Sequence, residues 1–236
     1  MSEPQANYTT VTQPFPYPMP TYVDPTPRPF GIDVSRWQGE INYQQCFQDG
    51  VKFVAIRCTA GDYYTDPRFY ENWEGLRGAG ILATPYIVVA PAWSPNYGYH
   101  PVGVDAHWRR FVSVFGSLDP DLPIALDCEL SRGMDEEYIS DLIDGLIWRV
   151  YDKYGRMPII YTRGNWWNEN TRPRATFELC DLWVARYNTY ISGPWSDNDA
   201  YRPRDWHDWH FWQGSEEHQI GGIPEANVDA EIGRAH

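Results

Sequence analysis

Two carboxylates two residues apart, Asp127 and Glu129 in Ala125-Leu126-Asp127-Cys128-Glu129, form the pair in this sequence best spaced for chemistry. Side chains alternate along an extended chain, so both acids share one face, with Cα atoms roughly 6.5 Å apart, while Cys128 points to the other. Their neighbours Leu122, Ile124, Leu126 and Leu130 are apolar. Two charges on such a strand are costly to bury, so one carboxyl must hold its proton to unusually high pH. A protonated carboxyl beside an ionised one is what glycoside hydrolysis requires. Two more acids stand in similar surroundings, Asp33 in Gly31-Ile32-Asp33-Val34-Ser35 and Asp229 in Asn227-Val228-Asp229. Other chemistry fits the same four residues. Hard oxygen ligands suit Mg²⁺ or Ca²⁺, although His107, His207, His210 and His218 fall in helix or late loops, away from the acids. A buried acid pair tied to Arg or backbone donors would be structural only.

The elements that carry these acids follow a simple rhythm. Short apolar runs predict strands over Phe30–Arg36, Phe53–Thr59, Ile81–Val89, Leu122–Leu130 and Met157–Arg163. Helical spacing predicts helices over Asn42–Asp49, Pro67–Arg77, Val104–Phe115 and Asp135–Lys153. The last has an apolar face at Ile139, Leu142, Ile143, Leu146, Ile147 and Val150. Gly80 and Gly155 stand where helices should end. Three further strands, Asp181–Tyr187, Trp209–Ser215 and Ala226–Ile232, follow with little helix between them. Eight strands with helices after the first four or five predict an α/β fold, a modified TIM-like (β/α)5(β)3 barrel. In such a barrel the strand C-termini carry the chemistry, and that rule places Asp33, Asp127, Glu129 and Asp229 at one rim.

Composition narrows the partners. The 236 residues carry 19 Lys+Arg against 32 Asp+Glu, a net charge of -13, which excludes general attraction to nucleic acid or anionic lipid. No apolar run approaches the roughly 20 residues of a membrane-spanning helix, so membrane insertion is not expected. Met1 to Phe30 has neither basic nor apolar leader regions, so no signal peptide is expected. It holds eight prolines, which forbid regular pairing and predict an extended arm over residues 1–30, ahead of a catalytic barrel over 31–236. Cys46, Cys58, Cys128 and Cys180 are too few for a disulfide scaffold and read as buried thiols. Aromatic residues reach 16%, with 12 Trp, 17 Tyr and 9 Phe, more than a core is expected to absorb. Two aromatic loops, Pro91–Tyr99 (Trp93, Tyr97, Tyr99) and Tyr190–Trp209 (Trp195, Tyr201, Trp206, Trp209), are expected to offer ring faces to sugars.

Several short motifs, in order and at their spacings, resemble glycoside hydrolase family 25, the muramidase lysozymes. They are Asp33-Val34-Ser35 with Trp37-Gln38-Gly39, Phe53-Val54-Ala55-Ile56-Arg57, Tyr64-Thr65-Asp66-Pro67 with Phe69 and Asn72, and Asp127-Cys128-Glu129. Ile160-Tyr161-Thr162, Leu182-Trp183-Val184-Ala185-Arg186-Tyr187, Trp212-Gln213 and Asn227-Val228-Asp229 complete the set. The resemblance runs from Gly31 to about Ile232. It implies a barrel of five βα units and three trailing strands, no cofactor and no metal, and cleavage of the β-1,4 bond between N-acetylmuramic acid and N-acetylglucosamine in bacterial peptidoglycan. Carried over, it makes Glu129 the general acid and Asp127 the residue that orients the substrate's acetamido group. Asp33 and Asp229 would complete the acidic pocket, with Trp37, Tyr86, Tyr161, Trp183, Arg186, Trp212 and Gln213 expected to bind substrate. The chain departs from the family at Thr59-Ala60-Gly61, where the family carries Thr-Glu-Gly, and at Pro85-Tyr86-Ile87, where it carries Tyr-His-Phe. A lysin without a leader would be made in a host cytoplasm and reach the wall after release or within a virus particle, with the arm docking on the assembly. The competing expectation is a glycan-binding or structural virion protein on the same barrel.

Overall fold

The computed structural model describes residues 28–93, 100–187, 202–223 and 227–233. Eight strands close on themselves: β1 (Phe30–Val34), β2 (Val51–Ala60), β3 (Leu82–Val88), β4 (Ala125–Asp127), β5 (Ile159–Thr162), β6 (Asp181–Ala185), β7 (Phe211–His218) and β8 (Val228–Gly233). Neighbours from β1 to β7 run parallel, while β8 runs antiparallel to both β7 and β1. A two-residue spur, Tyr64–Thr65, pairs with the end of β2. Five helices, α1 (Tyr43–Gln48), α2 (Phe69–Ala79), α3 (Val104–Phe115), α4 (Glu136–Tyr154) and α5 (Gly164–Asn170), follow the first five strands. This is the (β/α)5(β)3 architecture expected from the sequence.

Period-two alternation sorts the strand residues into two layers. Val34, Ile56, Ile87, Leu126, Ile160, Leu182 and Val228 face outward into the layer shared with the helices. Ala55, Tyr86, Ala125, Tyr161, Trp183 and Ala185 face inward. Small alanines leave room inside for the rings of Tyr86, Tyr161 and Trp183. Phe53 and Phe211 add an edge-to-face pair at 5.3 Å. Helix α4 lays Ile139, Leu142, Ile143, Leu146, Ile147 and Val150 on the barrel, starts at an Asp135 cap and stops at Gly155 with φ 68°. Helix α2 stops at Gly80 with φ 71°, a backbone geometry that glycine adopts without cost.

Two expectations need correction. The fourth strand is confined to Ala125–Asp127, because Pro120 and Pro123 cannot donate to a ladder, and the Pro123 carbonyl is taken by the Thr84 hydroxyl. The first strand opens at Phe30 as expected, and the Gly233 N–H donates to the Pro29 carbonyl just before it. Much of the aromatic excess is core after all. Phe69 and Trp73 of α2 pack with Phe111 and Phe115 of α3 through stacked and edge-on ring contacts, and Trp167 packs edge-on to both Phe177 and Trp206. Residues 1–27 of the arm lie outside the described residues. All four cysteines are buried and unpaired, as expected.

Candidate active site

The four predicted acids converge at one end of the barrel, though not all by the expected route. Asp33 and Asp127 end inward-facing rows on parallel strands, and Glu129 extends the Asp127 row just past β4. The alternation survives there because the Cys128 N–H donates to the Tyr161 carbonyl and the Cys128 carbonyl accepts from the Thr162 hydroxyl. Asp229 arrives differently. It sits near the start of antiparallel β8, directly opposite Asp33 in the register. Running the strand backwards brings its N-terminal end to the rim that the other strands reach with their C-terminal ends.

Exposure separates the first two acids. Asp127 is only 6% exposed, whereas the Glu129 side chain is 33% exposed with Arg163 4.0 Å away. Glu129 can therefore meet a ligand from solvent while Asp127 supports from beneath. Asp127 Oδ1 is buried with no hydrogen-bond partner among the described residues. Burial, and then the charge of Glu129, push Asp127 well above the usual carboxylate range. Burial also raises Glu129, with Arg163 and Arg57 pulling it part of the way back. Asp229 is pushed up to about 8 by burial and by Asp33. Asp33 rises through burial, opposed by hydrogen bonds from Asp229, Glu231 and Gln213 and by the charge of Arg57. A crowd of carboxyls in a low-dielectric site keeps protons that isolated carboxyls would lose.

Two members of the cluster escaped the sequence reading. Glu231 is completely buried and lies on the same face of β8 as Asp229. Its signal was present, since Asp229-Ala230-Glu231 repeats the spacing of Asp127-Cys128-Glu129. Arg57 points inward from β2, with its guanidinium 5.5 Å from the Tyr86 ring centre. Burial works against its charge, but Tyr86, Asp127 and Asp33 outweigh that and raise its pKa. Only the barrel closure brings this cation to the acids.

Gln213 ties the floor of the site together. Its Nε2 donates to Asp33 Oδ2 at 2.9 Å and to Glu231 Oε1 at 3.2 Å. Its Oε1 accepts from the Tyr161 hydroxyl at 2.8 Å and the Tyr187 hydroxyl at 3.0 Å. Trp183 stacks edge-on to Tyr161 at 4.8 Å, and Tyr86 is buried beside Arg57. Trp37 is 67% exposed at the turn after β1, with the Arg36 guanidinium 4.4 Å from its ring centre.

Other expected binding residues do not join the acids. Trp212 faces the outer layer, where its indole N–H donates to the Arg186 carbonyl. On β7 the inward positions belong to Phe211 and Gln213, so alternation sends Trp212 out. Arg186 is half-buried beyond β6, and its N–H donates to the Gln213 carbonyl. Trp206 and Trp209 are buried in the outer layer, the former donating to the Cys180 carbonyl, so neither offers a ring to a ligand. Tyr97, Tyr99, Trp195 and Tyr201, and the side chain of Trp93, lie outside the described residues. Among the described residues no three His, Cys, Asp or Glu side chains are grouped as metal ligands. No described helix is long and apolar enough to cross a membrane.

Known proteins share this fold. A solved bacterial lysozyme from Streptomyces coelicolor superposes with a TM-score of 0.76 at 28% identity, covering 89% of this chain and 94% of that one. Lysozyme M1 of Streptomyces globisporus is 30% identical over 203 residues, which is 82% of this chain and 64% of the relative. The uncharacterized protein YegX of Escherichia coli K12 is 29% identical over 198 residues, again 82% of this chain and 65% of the relative. The chain thus spans a little under two thirds of these two relatives. The family model for glycosyl hydrolases family 25 matches residues 32–223, a span that runs from β1 past β7 and holds Asp33, Asp127 and Glu129. With its barrel and most of its length matched, the chain belongs to family 25 of the glycosyl hydrolases.

Proposed function

We propose that the chain hydrolyses the β-1,4 bond between N-acetylmuramic acid and N-acetylglucosamine in bacterial peptidoglycan. The observation that carries this reading is the pairing of a solvent-reaching Glu129 with a buried Asp127 whose Oδ1 has no partner among the described residues. Before substrate arrives, the two carboxyls titrate as a unit. A sugar acetamido N–H donating to Asp127 would stabilise that residue as the carboxylate and leave the proton on Glu129. Glu129 then protonates the leaving glycosidic oxygen, while the oriented acetamido carbonyl attacks the anomeric carbon. Asp33 and Asp229 keep negative charge and protons close to the developing positive charge. The lysozyme relatives support the substrate class, and the exposed Trp37 supplies aromatic surface of the kind sugars stack on, while Tyr86, Tyr161 and Trp183 are buried in the barrel interior beneath the acids.

The test is a suspension of purified walls, followed by turbidity and by identification of the new reducing ends. Wild-type protein should clear the suspension and release N-acetylmuramic acid reducing ends. Glu129→Gln should lower turnover by at least ~100-fold while still binding walls, since general acid catalysis contributes roughly 10² to 10⁴. Binding by the wild type without cleavage would favour a glycan-binding protein on this barrel. Near-full lysis by the variant would remove Glu129 from the mechanism.

A further inference from the structure

Glu231 is an acid with no assigned task, placed where an ionised carboxylate is hardest to keep. It is wholly buried and stands between Gly31 of β1 and Gln213 of β7 in the barrel register. Its Oε1 accepts from Gln213, and its Oε2 is buried with no donor among the described residues. It also hydrogen-bonds the Asp33 carboxyl. Two carboxyls can share a hydrogen bond only when one of them holds a proton.

We propose that Glu231 is a protonated positioning acid, whose carboxyl donates to Asp33 and holds Asp33 as the anion of the cluster. The proton belongs on Glu231 for three reasons. Glu231 has no solvent access, whereas Asp33 keeps a little. Asp33 already accepts from Gln213 and hydrogen-bonds Asp229, so it is equipped to carry charge. Arg57 lies close enough to favour that charge. Burial, then Asp33 and Asp229, raise Glu231 well above the usual carboxylate range, in the same direction. The titratable surroundings are consistent with this. Asp33, Asp229 and the neutral Gln213 face Glu231 from β1, β8 and β7. Arg57 acts on Asp33 from β2, and the Asp33 charge acts in turn on Tyr86 of β3 and Tyr161 of β5. Asp127 and Glu129 approach Asp33 from the β4 side, and Glu216 acts on Asp229.

This deepens the muramidase reading and rests on it only for its kinetic half. The experiment uses the full chain as wild type, Glu231→Gln and Glu231→Leu. The melting midpoint is followed from pH 4.5 to 9, and kcat and KM are measured on soluble peptidoglycan fragments across the same range. Glutamine is a neutral donor that cannot ionise, so Glu231→Gln should melt higher than wild type at pH 9 and lose less on going from pH 5 to 9. Leucine removes the donor to Asp33. Its acid limb in kcat should move up by about one pH unit, with KM within about twofold, and glutamine should restore the limb to its wild-type position. The proposal is overturned if Glu231→Gln melts no higher than wild type at pH 9. It is equally overturned if glutamine moves the acid limb to lower pH, the sign of a lost negative charge, or if leucine leaves the limb in place. Should Glu231→Leu not fold, melting of the glutamine variant decides alone. A wild type that cleaves no peptidoglycan would defeat the muramidase reading, while the melting series, which needs no substrate, would still judge Glu231.

Discussion

Asp229 shows how far a single residue's behaviour depends on its company. An aspartate in an unfolded chain titrates near 3.9, whereas burial and the facing Asp33 push Asp229 up to about 8. A carboxyl raised on folding binds its proton more tightly in the native state, so its contribution is complete below about pH 4 and is lost as pH rises through about 8. Asp229→Asn should therefore stabilise the fold progressively from pH 4 to pH 8. At pH 9 a gain of at least about 2 °C in melting midpoint is expected, after discounting for partial exposure and for coupling to Asp33. Calorimetry at four or five pH values checks it, and a variant that melts lower than wild type at pH 9 would contradict the assignment. Asp33, Asp127, Glu129 and Glu231 shift in the same direction. The wild-type midpoint should accordingly fall between pH 5 and pH 9.

Among the elements, the contact of β1 with β2 is the most exacting. Gly31 lies opposite Phe53 in the register, and a Cβ on Gly31 would overlap the Phe53 ring. That ring packs in turn on Phe211 of β7, so three strands meet across a space that only glycine leaves open. Gly31→Ala should destabilise the barrel by about 1–3 kcal/mol through overpacking, read as a lower urea midpoint with an unchanged slope. Gly155 offers a milder contrast. It has a left-handed φ but open space around it, so Gly155→Ala should cost only about 1 kcal/mol, from backbone conformation alone.

For the molecule as a whole, β8 is the decisive piece. It closes the barrel against β1 and β7, and its antiparallel sense delivers Asp229 and Glu231 to the acids of the parallel strands. The same closure recruits residues just before β1, through the Gly233–Pro29 hydrogen bond and the Arg28 guanidinium 5.1 Å from the Trp209 ring centre. A truncation meant to remove the arm alone should therefore stop at residue 27. Deleting residues 1–27 is expected to leave hydrolysis of isolated peptidoglycan within about threefold of the full chain, a change of about 0.7 kcal/mol or less. A truncated protein that folds but cannot cleave would place the arm in the catalytic cleft.

Local patterning was enough for much of this protein. Short apolar runs made the strands legible, the spacing of Ile139 to Val150 made α4 legible, and Gly80 and Gly155 marked helix ends, because each signal is written within a few neighbouring residues. The shared face of Asp127 and Glu129 is of the same kind, since it needs only an extended backbone. Other features rest on residues far apart in the chain. The sense of β8, the pairing of Asp33 with Asp229, the reach of Gln213 to Asp33 and Glu231, and the arrival of Arg57 among the acids all depend on barrel closure. So does the fate of the aromatic residues, because a tryptophan has the same composition whether it faces a ligand or a helix. Trp212 turned outward and Trp183 inward through strand parity and register, and those are settled only when eight strands share one closed set of hydrogen bonds.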